Sequence, residues 1–356
     1  MRIITRYLFK EMTNNILFVM LALIAMFSFF DLIQELELLN KGSYGLEKIL
    51  LFVILSAPGH IYEVMPVAVL VGSMYALGQF SRYSELIVLR VSGISIANIS
   101  FSLLKVGLAF TILTFLVGEL VTPFSEKMAQ RMRIQATESV VAQDFRSGLW
   151  VKDGNSFVNV GEILPDATLK NIYIYEFSPD FKLTTINAAK EGYFIDNHWN
   201  LKQVTKTSFI NDNIEVTQFD KTKWRSLIRP ELLNVLLVLP EKMSAWNLYA
   251  YIQHLSTNKQ KTTRYEVALW SKLIYPIACL VMVVLALPFG FVQQRASNNS
   301  AKIFIGIMLG VLYQILNRIF IHLGLLNDWS PLFSAIVPTI LFFMAGVVML
   351  IKVDRK

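Results

Sequence analysis

Seven ionisable residues lie within or at the ends of stretches that are otherwise apolar. They are Asp31, Glu63, Lys105, Glu119, Lys272, Arg318 and His322. A charge at the centre of a bilayer costs about 2.5–3.5 kcal/mol, so each side chain needs a partner or a role. One interpretation is that they pair between helices or extend to the membrane surface. The other is a rim of cations that attracts an anionic group, formed by Lys41, Arg133, Lys272 and Arg318.

Patterns typical of catalysis and metal binding are missing from the chain. There is no GxxxxGK[ST] run to hold nucleotide phosphates and no GxSxG elbow for a serine nucleophile. The four histidines are scattered, and Cys279 is the single cysteine, so no metal-ligand spacing occurs. We expect no enzyme activity, cofactor or metal in this chain, and a partner or an ion gradient must drive its work. Of the acidic residues, Glu63 alone is placed for a proton relay.

The composition indicates a membrane protein. Apolar residues make up 54% of the 356 residues and charged residues 17%, against typical values of about 45–50% and 25%. Six stretches have the roughly 20 apolar residues that a spanning helix needs. They cover residues 14–33, 49–78, 96–121, 268–291, 303–322 and 331–351. Pro58 and Pro66 predict a bend in the second span, and the first stretch is too long for a cleaved signal peptide.

The short loops carry their cations on one side. Ten Lys and Arg residues lie on the side of the N-terminus, and only Lys41 and Lys48 lie in the short loops opposite. Because cytoplasmic loops carry the excess of Lys and Arg, both termini are predicted to be cytoplasmic. The net charge of +7 then reflects topology, and we expect no nucleic-acid partner.

A polar insertion of about 145 residues separates the third and fourth stretches. It opens with helix formers over 126–138 and then changes to alternating apolar and polar residues. Residues 149–160 and 192–201 are typical of hairpins, and 172–177, 204–209, 214–219 and 223–227 of further strands. Short strands with regular turns predict a sandwich or jelly roll. Its exposed edges either accept a strand from another chain or are blunted, and the composition does not distinguish the two.

The loop between the second and third stretches, residues 82–93, predicts a short helix. Ser84 is placed to cap it, Glu85 lies in its first turn and Gly93 ends it. Leu86 and its neighbours are more apolar than a solvated loop requires. Such a helix either lies on the bilayer or inserts into a groove on a cytoplasmic protein, and the residues alone leave both open.

Four segments resemble the LptF/LptG family of lipopolysaccharide-export permeases, and its LptG branch most closely. The segments are 84–93 (SELIVLRVSG), 122–133 (TPFSEKMAQRMR), 149–155 (LWVKDGN) and 264–272 (RYEVALWSK). They occur in the family's order over nearly the whole length. Together they are specific, and each alone is weak.

The resemblance implies an α-helical membrane protein with six transmembrane helices and a periplasmic all-β jelly-roll domain between helices 3 and 4. The expected parts are residues 1–122 with a coupling helix near 82–93, a periplasmic domain over 123–265, and residues 266–356. ATPase coupling falls to Ser84, Glu85, Leu86 and Arg90, and substrate binding to Lys41, Arg133, Lys272 and Arg318. One departure is that Asp31, Glu35 and Glu37 stand where the family's first span often ends in basic residues.

The implied function is ATP-driven extraction of lipopolysaccharide from the outer leaflet of the bacterial inner membrane. The implied partners are a homologous LptF-like permease, a dimeric LptB-like ATPase that uses the ATP and magnesium, a single-span LptC-like protein and an LptA-like periplasmic bridge. Two alternatives stay open: a membrane-anchored scaffold that recruits periplasmic proteins, and an ion-driven lipid flippase. A scaffold would tolerate Glu85→Lys, and a flippase would depend on Glu63.

Overall fold

The computed structural model describes residues 2–137, 149–164, 168–195, 198–210, 213–224, 226, 240–257, 260–291 and 299–354. Before the sheet lie α1 (Arg2–Leu36), α2 (Leu46–Arg82), α3 (Glu85–Val91), α4 (Ile96–Leu116), a π-helical turn (Val117–Val121) and α5 (Thr122–Thr137). After it lie a 3₁₀ turn (Pro240–Lys242), α6 (Ala245–Thr257), α7 (Thr263–Ile274), α8 (Ile277–Phe291), α9 (Asn299–Leu326) and α10 (Pro331–Asp354).

Five described helices are long and apolar enough to cross a membrane, and the bent pair α7 and α8 supplies a sixth span if it is counted as one. The sequence predicts an unbroken fourth span, but the helix breaks at Tyr275-Pro276 and turns by 49°. Pro276 lacks an N–H and disfavours helical geometry in the residue before it. By contrast, α2 runs as one helix through both Pro58 and Pro66.

The helix of the third span does not end at Thr122-Pro123, where the sequence predicts the end of that span. A single helical run extends from Ile96 to Thr137. The π-helical turn lies just before the proline, and the Thr122 N–H donates to the Val117 carbonyl five residues back. A wider turn at this point accommodates a residue without an N–H donor. The expected domain boundary at 122–123 therefore falls inside a continuous helix.

The middle of the chain forms one antiparallel six-stranded sheet in simple chain order. Its strands are β1 (Leu149–Asp153), β2 (Ser156–Ile163), β3 (Leu169–Phe177), β4 (Leu183–Ile195), β5 (His198–Ile210) and β6 (Asn213–Trp224). The predicted hairpin over 149–160 is confirmed, with Asp153 opposite Ser156 and Gly154 at φ +60°. Of the predicted strand over 223–227, residues 223 and 224 belong to β6, and 227 lies outside the described residues.

The sheet has its own apolar core. Val158, Ile172 and Trp199 are fully buried, although they come from three different strands. The Ser226 hydroxyl, just beyond β6, donates to the Asp153 carboxylate at the end of β1. This bond brings the two ends of the strand order together, which indicates that the sheet curls around its core. The strand β6 itself is exposed along almost its whole length.

The membrane helices pack around α2 and α8. These two helices contribute most of the buried residues of the largest apolar cluster, and α1, α4, α9 and α10 pack against them. A Cβ on Gly72 would lie 2.6 Å from the Ile16 Cα, so the backbones of α1 and α2 touch at this glycine.

Candidate functional site: an open cleft, a polar corner and a short exposed helix

A cleft with a volume of about 180 Å³ opens between α2, the first residue of α5, the 3₁₀ turn, α7 and α9. Its lining includes the predicted site residues Lys272 and Arg318, together with Arg264, Lys242, Glu63 and Glu241. Arg264 and Arg318 are exposed, and neither makes an ion pair with another described residue. Tyr62, Tyr275 and Ile321 give the same cleft an apolar wall. The cleft thus combines free guanidinium groups with apolar surface.

Lys272 has a different environment from Arg318. Its side chain is buried, its Nζ donates to the Met243 carbonyl, and the same nitrogen lies 5.8 Å from the centre of the Tyr62 ring. A buried ammonium that already donates to a carbonyl has less capacity for an external anion than an exposed guanidinium. Lys272 therefore holds the segment that returns from the sheet, while it also lines the cleft.

Two buried or partly buried carboxylates hold the same return segment. Glu119, in the π-helical turn, accepts from the backbone N–H groups of Ala245 (2.8 Å) and Trp246 (3.4 Å) at the start of α6. Glu126, in α5, forms an ion pair with Lys242 at 3.0 Å. A carboxylate at a helix N-terminus satisfies unpaired N–H groups and interacts favourably with the helix dipole. Contacts of Lys272, Glu119 and Glu126 thus hold the segment that leads from the sheet back to the membrane helices.

A line of polar side chains runs along α5 from this segment. Glu126 also accepts from the Gln130 amide at 3.2 Å, and Gln130 accepts from Arg133 at 2.7 Å. The Glu126 Oε2 atom is buried and has no hydrogen-bond partner among the described residues. It lies 3.6 Å from the position that a Cβ on Gly59 would take, and Gly59 lines the cleft.

At its far end this line reaches a polar corner formed by Glu35, Tyr44, Arg133 and Phe52. The Arg133 Nη1 atom lies 3.1 Å from the Glu35 Oε1 atom, and the Tyr44 hydroxyl donates to Oε2 at 2.7 Å. The guanidinium also lies 5.1 Å from the centre of the Phe52 ring. Burial and the bond to Glu35 raise the pKa of Tyr44 well above its usual value. The charges of Glu35 and Arg133 thus neutralise each other within the chain.

The four predicted substrate-binding residues thus fall into two places. Lys272 and Arg318 line the cleft, whereas Arg133 belongs to the polar corner. Lys41 is exposed in the loop beside that corner, where its carbonyl accepts from the Tyr44 N–H. The sequence analysis did not select Arg264 or Lys242 for the cleft. Arg264 stands in one of the family-like segments, so a signal for it was present.

The membrane ions that were expected to pair do so in part through backbone groups. The predicted pairing of Asp31 is confirmed, because its carboxylate contacts the imidazole of His60 on the neighbouring helix, and His60 stacks on Phe27. The His322 ring contacts the Arg318 carbonyl one turn earlier. The carboxylate of Glu63 is exposed, and its carbonyl accepts from Tyr275 and Gln314.

The helix α3 begins at Glu85 and ends at Val91, as the sequence predicts. The predicted capping by the Ser84 side chain is wrong: Ser84 has φ +59°, its hydroxyl makes no capping bond, and its carbonyl accepts from Ile87 and Val88 instead. The left-handed backbone turns the hydroxyl away from the first free N–H groups. Gly93, with φ +84°, ends the helix as expected.

Only one predicted coupling residue of α3 points into the protein. Leu86 is 3% exposed and joins the membrane core. Val88 is 62% exposed and Val91 83% exposed, with the charged Arg90 also at the surface. Glu85 accepts a hydrogen bond from the Tyr7 hydroxyl of α1 at 3.3 Å. Leu86 therefore anchors a helix that leaves the apolar side chains of Val88 and Val91 exposed beside Arg90.

The chain that forms the cleft, the sheet and the anchored helix is similar in sequence to known proteins. Residues 6–352 match the model of the family described as lipopolysaccharide export system permease LptF/LptG. The chain belongs to this family. It is 29% identical over 353 residues to the lipopolysaccharide export system permease protein LptG of Escherichia coli strain K12, with 98% of each chain covered. Its identity to the protein of the same name from Haemophilus influenzae is 28% over 341 residues, covering 95% of each chain.

Membership extends across every part described above. The matched range contains α3, the polar corner, the whole sheet and all the lining residues of the cleft. The family resemblance drawn from the four segments is thereby confirmed. The chain and its relatives are also alike in length, since nearly all of each chain is covered.

Proposed function

We propose that this chain is a permease subunit of an ATP-driven exporter. It extracts lipopolysaccharide from the outer leaflet of the bacterial inner membrane and passes it toward a periplasmic bridge. The observation that carries the proposal is α3, a seven-residue helix fixed by the buried Leu86 with an exposed apolar surface around Val88 and Val91. Exposed apolar residues on a rigid, anchored helix suit a groove on a partner protein.

The partner at α3 is a dimeric LptB-like ATPase, which supplies the ATP and magnesium chemistry. Binding energy at α3 passes to the membrane helices because Leu86 packs against the core and Glu85 is bonded to α1 through Tyr7. A movement of α3 therefore displaces α1. With the ATPase bound at α3, both termini and α3 lie in the cytoplasm. This agrees with the excess of Lys and Arg in the short loops on the side of the N-terminus.

The outward cleft receives the polar head of the lipid. The exposed guanidinium groups of Arg264 and Arg318 attract phosphate, with Lys272 as the charged floor and Tyr62 beside it. Lys41 and Arg133 form a second anion-binding region at the polar corner. Acyl chains stay in contact with apolar helix faces, which avoids their exposure to water.

The remaining partners contact the membrane helices and the sheet. An LptF-like permease pairs with the membrane helices, whose large apolar side chains are exposed along α1 and α9. The curled sheet is a periplasmic jelly-roll domain that meets an LptC-like single-span protein and then an LptA-like bridge. Its open edge β6 is exposed over nearly its whole length, as strand addition requires.

Co-purification with the ATPase tests the proposal. The full chain is purified in mild detergent from cells that also express the nucleotide-hydrolysing subunit, and bound ATPase is quantified. We expect Glu85→Lys to reduce the bound ATPase at least about tenfold, because the reversal places a cation at the start of α3 and breaks the contact with Tyr7. Glu47→Lys makes the same charge change at an exposed position in the first turn of α2 and serves as the control.

Each outcome has a clear meaning. Loss in Glu85→Lys with full binding in Glu47→Lys supports ATPase coupling at α3. Absence of any nucleotide-hydrolysing subunit from the unchanged protein contradicts the proposal and favours the membrane scaffold. Full transport by Glu85→Lys with loss of transport in Glu63→Gln favours the ion-driven flippase. Thermal unfolding in the same detergent confirms that each variant is folded.

A further inference from the structure

The cleft between α2, the 3₁₀ turn, α7 and α9 holds charges of both signs that do not pair with each other. Two carboxylates and two guanidinium groups line it, and all four residues are exposed. They belong to Glu63, Glu241, Arg264 and Arg318. None of them makes an ion pair with another described residue. Each of these charges is therefore left for water or for a ligand.

The other two cations of the cleft are already occupied. Lys242 is paired with Glu126, and Lys272 donates to the Met243 carbonyl. The charges that remain without a partner are two positive and two negative, so they cancel. A simple anion is attracted by the guanidinium groups but repelled by the carboxylates of the same cleft. A ligand that carries both signs gains from all four groups.

The carboxylate on α2 lies close to a guanidinium on α9. The Glu63 carbonyl accepts from the Tyr275 hydroxyl and the Gln314 amide, which fixes the level at which α2 meets α9. Arg318 follows Gln314 by four residues, about one turn of the same helix. Glu63 and Arg318 therefore occupy neighbouring levels of the cleft wall.

The carboxylate on the 3₁₀ turn is held in place by its neighbours in the chain. Glu241 is exposed, but Pro240 before it and Met243 after it are buried. The ion pair of Lys242 and the contact of Lys272 with Met243 fix the turn on both sides. The backbone that carries Glu241 is thus ordered before a ligand arrives, which lowers the entropic cost of binding.

The chemistry of the four groups indicates the kind of headgroup that they suit. A guanidinium matches two oxygens of a phosphate, whereas a carboxylate accepts from the three N–H donors of a primary ammonium. A volume of about 180 Å³ admits a small headgroup, and Tyr62 and Ile321 offer apolar contacts to the carbon atoms beside it. Phosphoethanolamine joins a phosphate and a primary ammonium by two carbon atoms, so it presents both charges within one small group.

We propose that the cleft binds a phosphoethanolamine headgroup, with its phosphate on Arg264 and Arg318 and its ammonium on Glu63 and Glu241. The proposal rests on the proposed function, since it assigns the headgroup chemistry that the cleft takes from a lipid. The two carboxylates are the specificity-determining residues, because the guanidinium groups alone would accept any phosphate.

The test measures binding of two matched short-chain lipids to the purified full chain in a neutral detergent at about pH 7. Dihexanoyl phosphatidylethanolamine and dihexanoyl phosphatidylmethanol have the same phosphodiester, and only the first carries an ammonium. Native mass spectrometry gives the ratio of their affinities. We expect the unchanged protein to prefer phosphatidylethanolamine by about tenfold, the factor expected from one hydrogen bond between charged groups.

The double variant Glu63→Gln, Glu241→Gln should reduce that preference to about twofold or less, chiefly by weakening the binding of phosphatidylethanolamine. Both positions are exposed, and glutamine keeps the size of the side chain, so the fold is preserved. The matched control is Glu37→Gln, Glu47→Gln, which removes the same two charges at exposed positions that do not line the cleft. Arg318→Gln should weaken both lipids by a similar factor.

Four outcomes would overturn the proposal. They are equal binding of the two lipids to the unchanged protein, an unaltered ratio in the cleft double variant, an equal loss of preference in the control double variant, and unaltered binding of both lipids to Arg318→Gln. Thermal unfolding in the same detergent confirms that each variant is folded.

Two further probes identify the source of the headgroup. Lipopolysaccharide with and without phosphoethanolamine on its phosphate is compared in the same assay, and a preference for the modified form assigns the cleft to the exported lipid. A preference restricted to phosphatidylethanolamine assigns it to a lipid of the bilayer. Competition by free phosphoethanolamine at the same concentrations as the short-chain lipid would contradict a lipid site.

The result is independent of ATPase coupling, because binding is measured on the isolated chain. A protein that co-purifies with no ATPase but shows the preference set by Glu63 and Glu241 would contradict the proposed function alone. A protein that binds its ATPase but shows no such preference would contradict this inference alone.

Discussion

The polar corner and the helix α3 differ in whether their side chains find partners within the chain. At the corner the charges of Glu35 and Arg133 satisfy each other, and the Tyr44 hydroxyl completes the set. At α3 one apolar residue, Leu86, is buried, while Val88 and Val91 are left exposed beside the charged Arg90. The first region is complete within the chain, and the second presents apolar surface without a cover.

This difference separates internal structure from interaction surface. A closed ion pair holds elements together and offers little to a partner unless the partner displaces one member. Apolar residues exposed on an anchored helix raise its free energy in water, and a groove that covers those residues lowers it again. The four predictions that follow test this contrast, in order of decreasing effect.

Val88→Asp should have the largest effect on ATPase binding, because it places a charge in the exposed apolar surface of α3. We expect the amount of co-purified ATPase to fall at least about tenfold, since desolvated apolar positions dominate binding. The stability of the chain should not change, as the residue is at the surface. Ile195→Asp, at an exposed position in the sheet, is the control. Undiminished ATPase binding would mean that α3 is not the docking surface.

Leu86→Ala should destabilise the chain by about 2–5 kcal/mol, because it removes a fully packed side chain from the membrane core. The midpoint of thermal unfolding in detergent measures the change. Val88→Ala, at an exposed position two residues further along the same helix, should change the free energy of unfolding by less than about 0.5 kcal/mol. If the two variants were equally stable, Leu86 would not be the anchor of α3.

Arg133→Gln should destabilise the chain by about 2 kcal/mol. The change leaves the buried carboxylate of Glu35 without its cation. The expected cost is below the 3–5 kcal/mol of a fully buried pair, because Arg133 is 34% exposed and solvent screens part of the attraction. Adding Glu35→Gln to the same chain should restore most of the loss, as measured by thermal unfolding. A double variant as unstable as the single one would show that the pair is not coupled.

Asp328→Asn should have the smallest effect, less than about 0.5 kcal/mol. Asp328 forms an ion pair with Lys261 at 2.7 Å, but both side chains are about two-thirds exposed. Exposed ion pairs contribute little, because water and salt screen them. Asparagine also tolerates the positive φ of this position. A loss as large as that of Arg133→Gln, in the same unfolding assay, would remove the distinction between closed and exposed pairs.

Much of the architecture was predictable because it depends on local patterns. The alternation of residues 149–160 predicts a hairpin and Gly154 its turn, and both are observed. The length and flanks of α3 follow from Glu85 and Gly93 in the same way. The predictions failed at two prolines, because the effect of a proline on a helix depends on the turns around it. Pro276 breaks the helix of the fourth span, whereas the helix of the third span continues through Pro123, which a π-helical turn precedes.

The sequence by itself determined the membrane character, the inserted sheet, the short helix α3 and the family, because apolar run length, periodicity and motif order are local properties of the chain. Only the tertiary structure decided which charges are free. Arg133 and Arg318 look alike in the sequence, yet one is neutralised by Glu35 and the other lines an open cleft. The physical reason is that the electrostatic state of a side chain depends on its neighbours in space, and residues 98 positions apart become neighbours only when the helices pack.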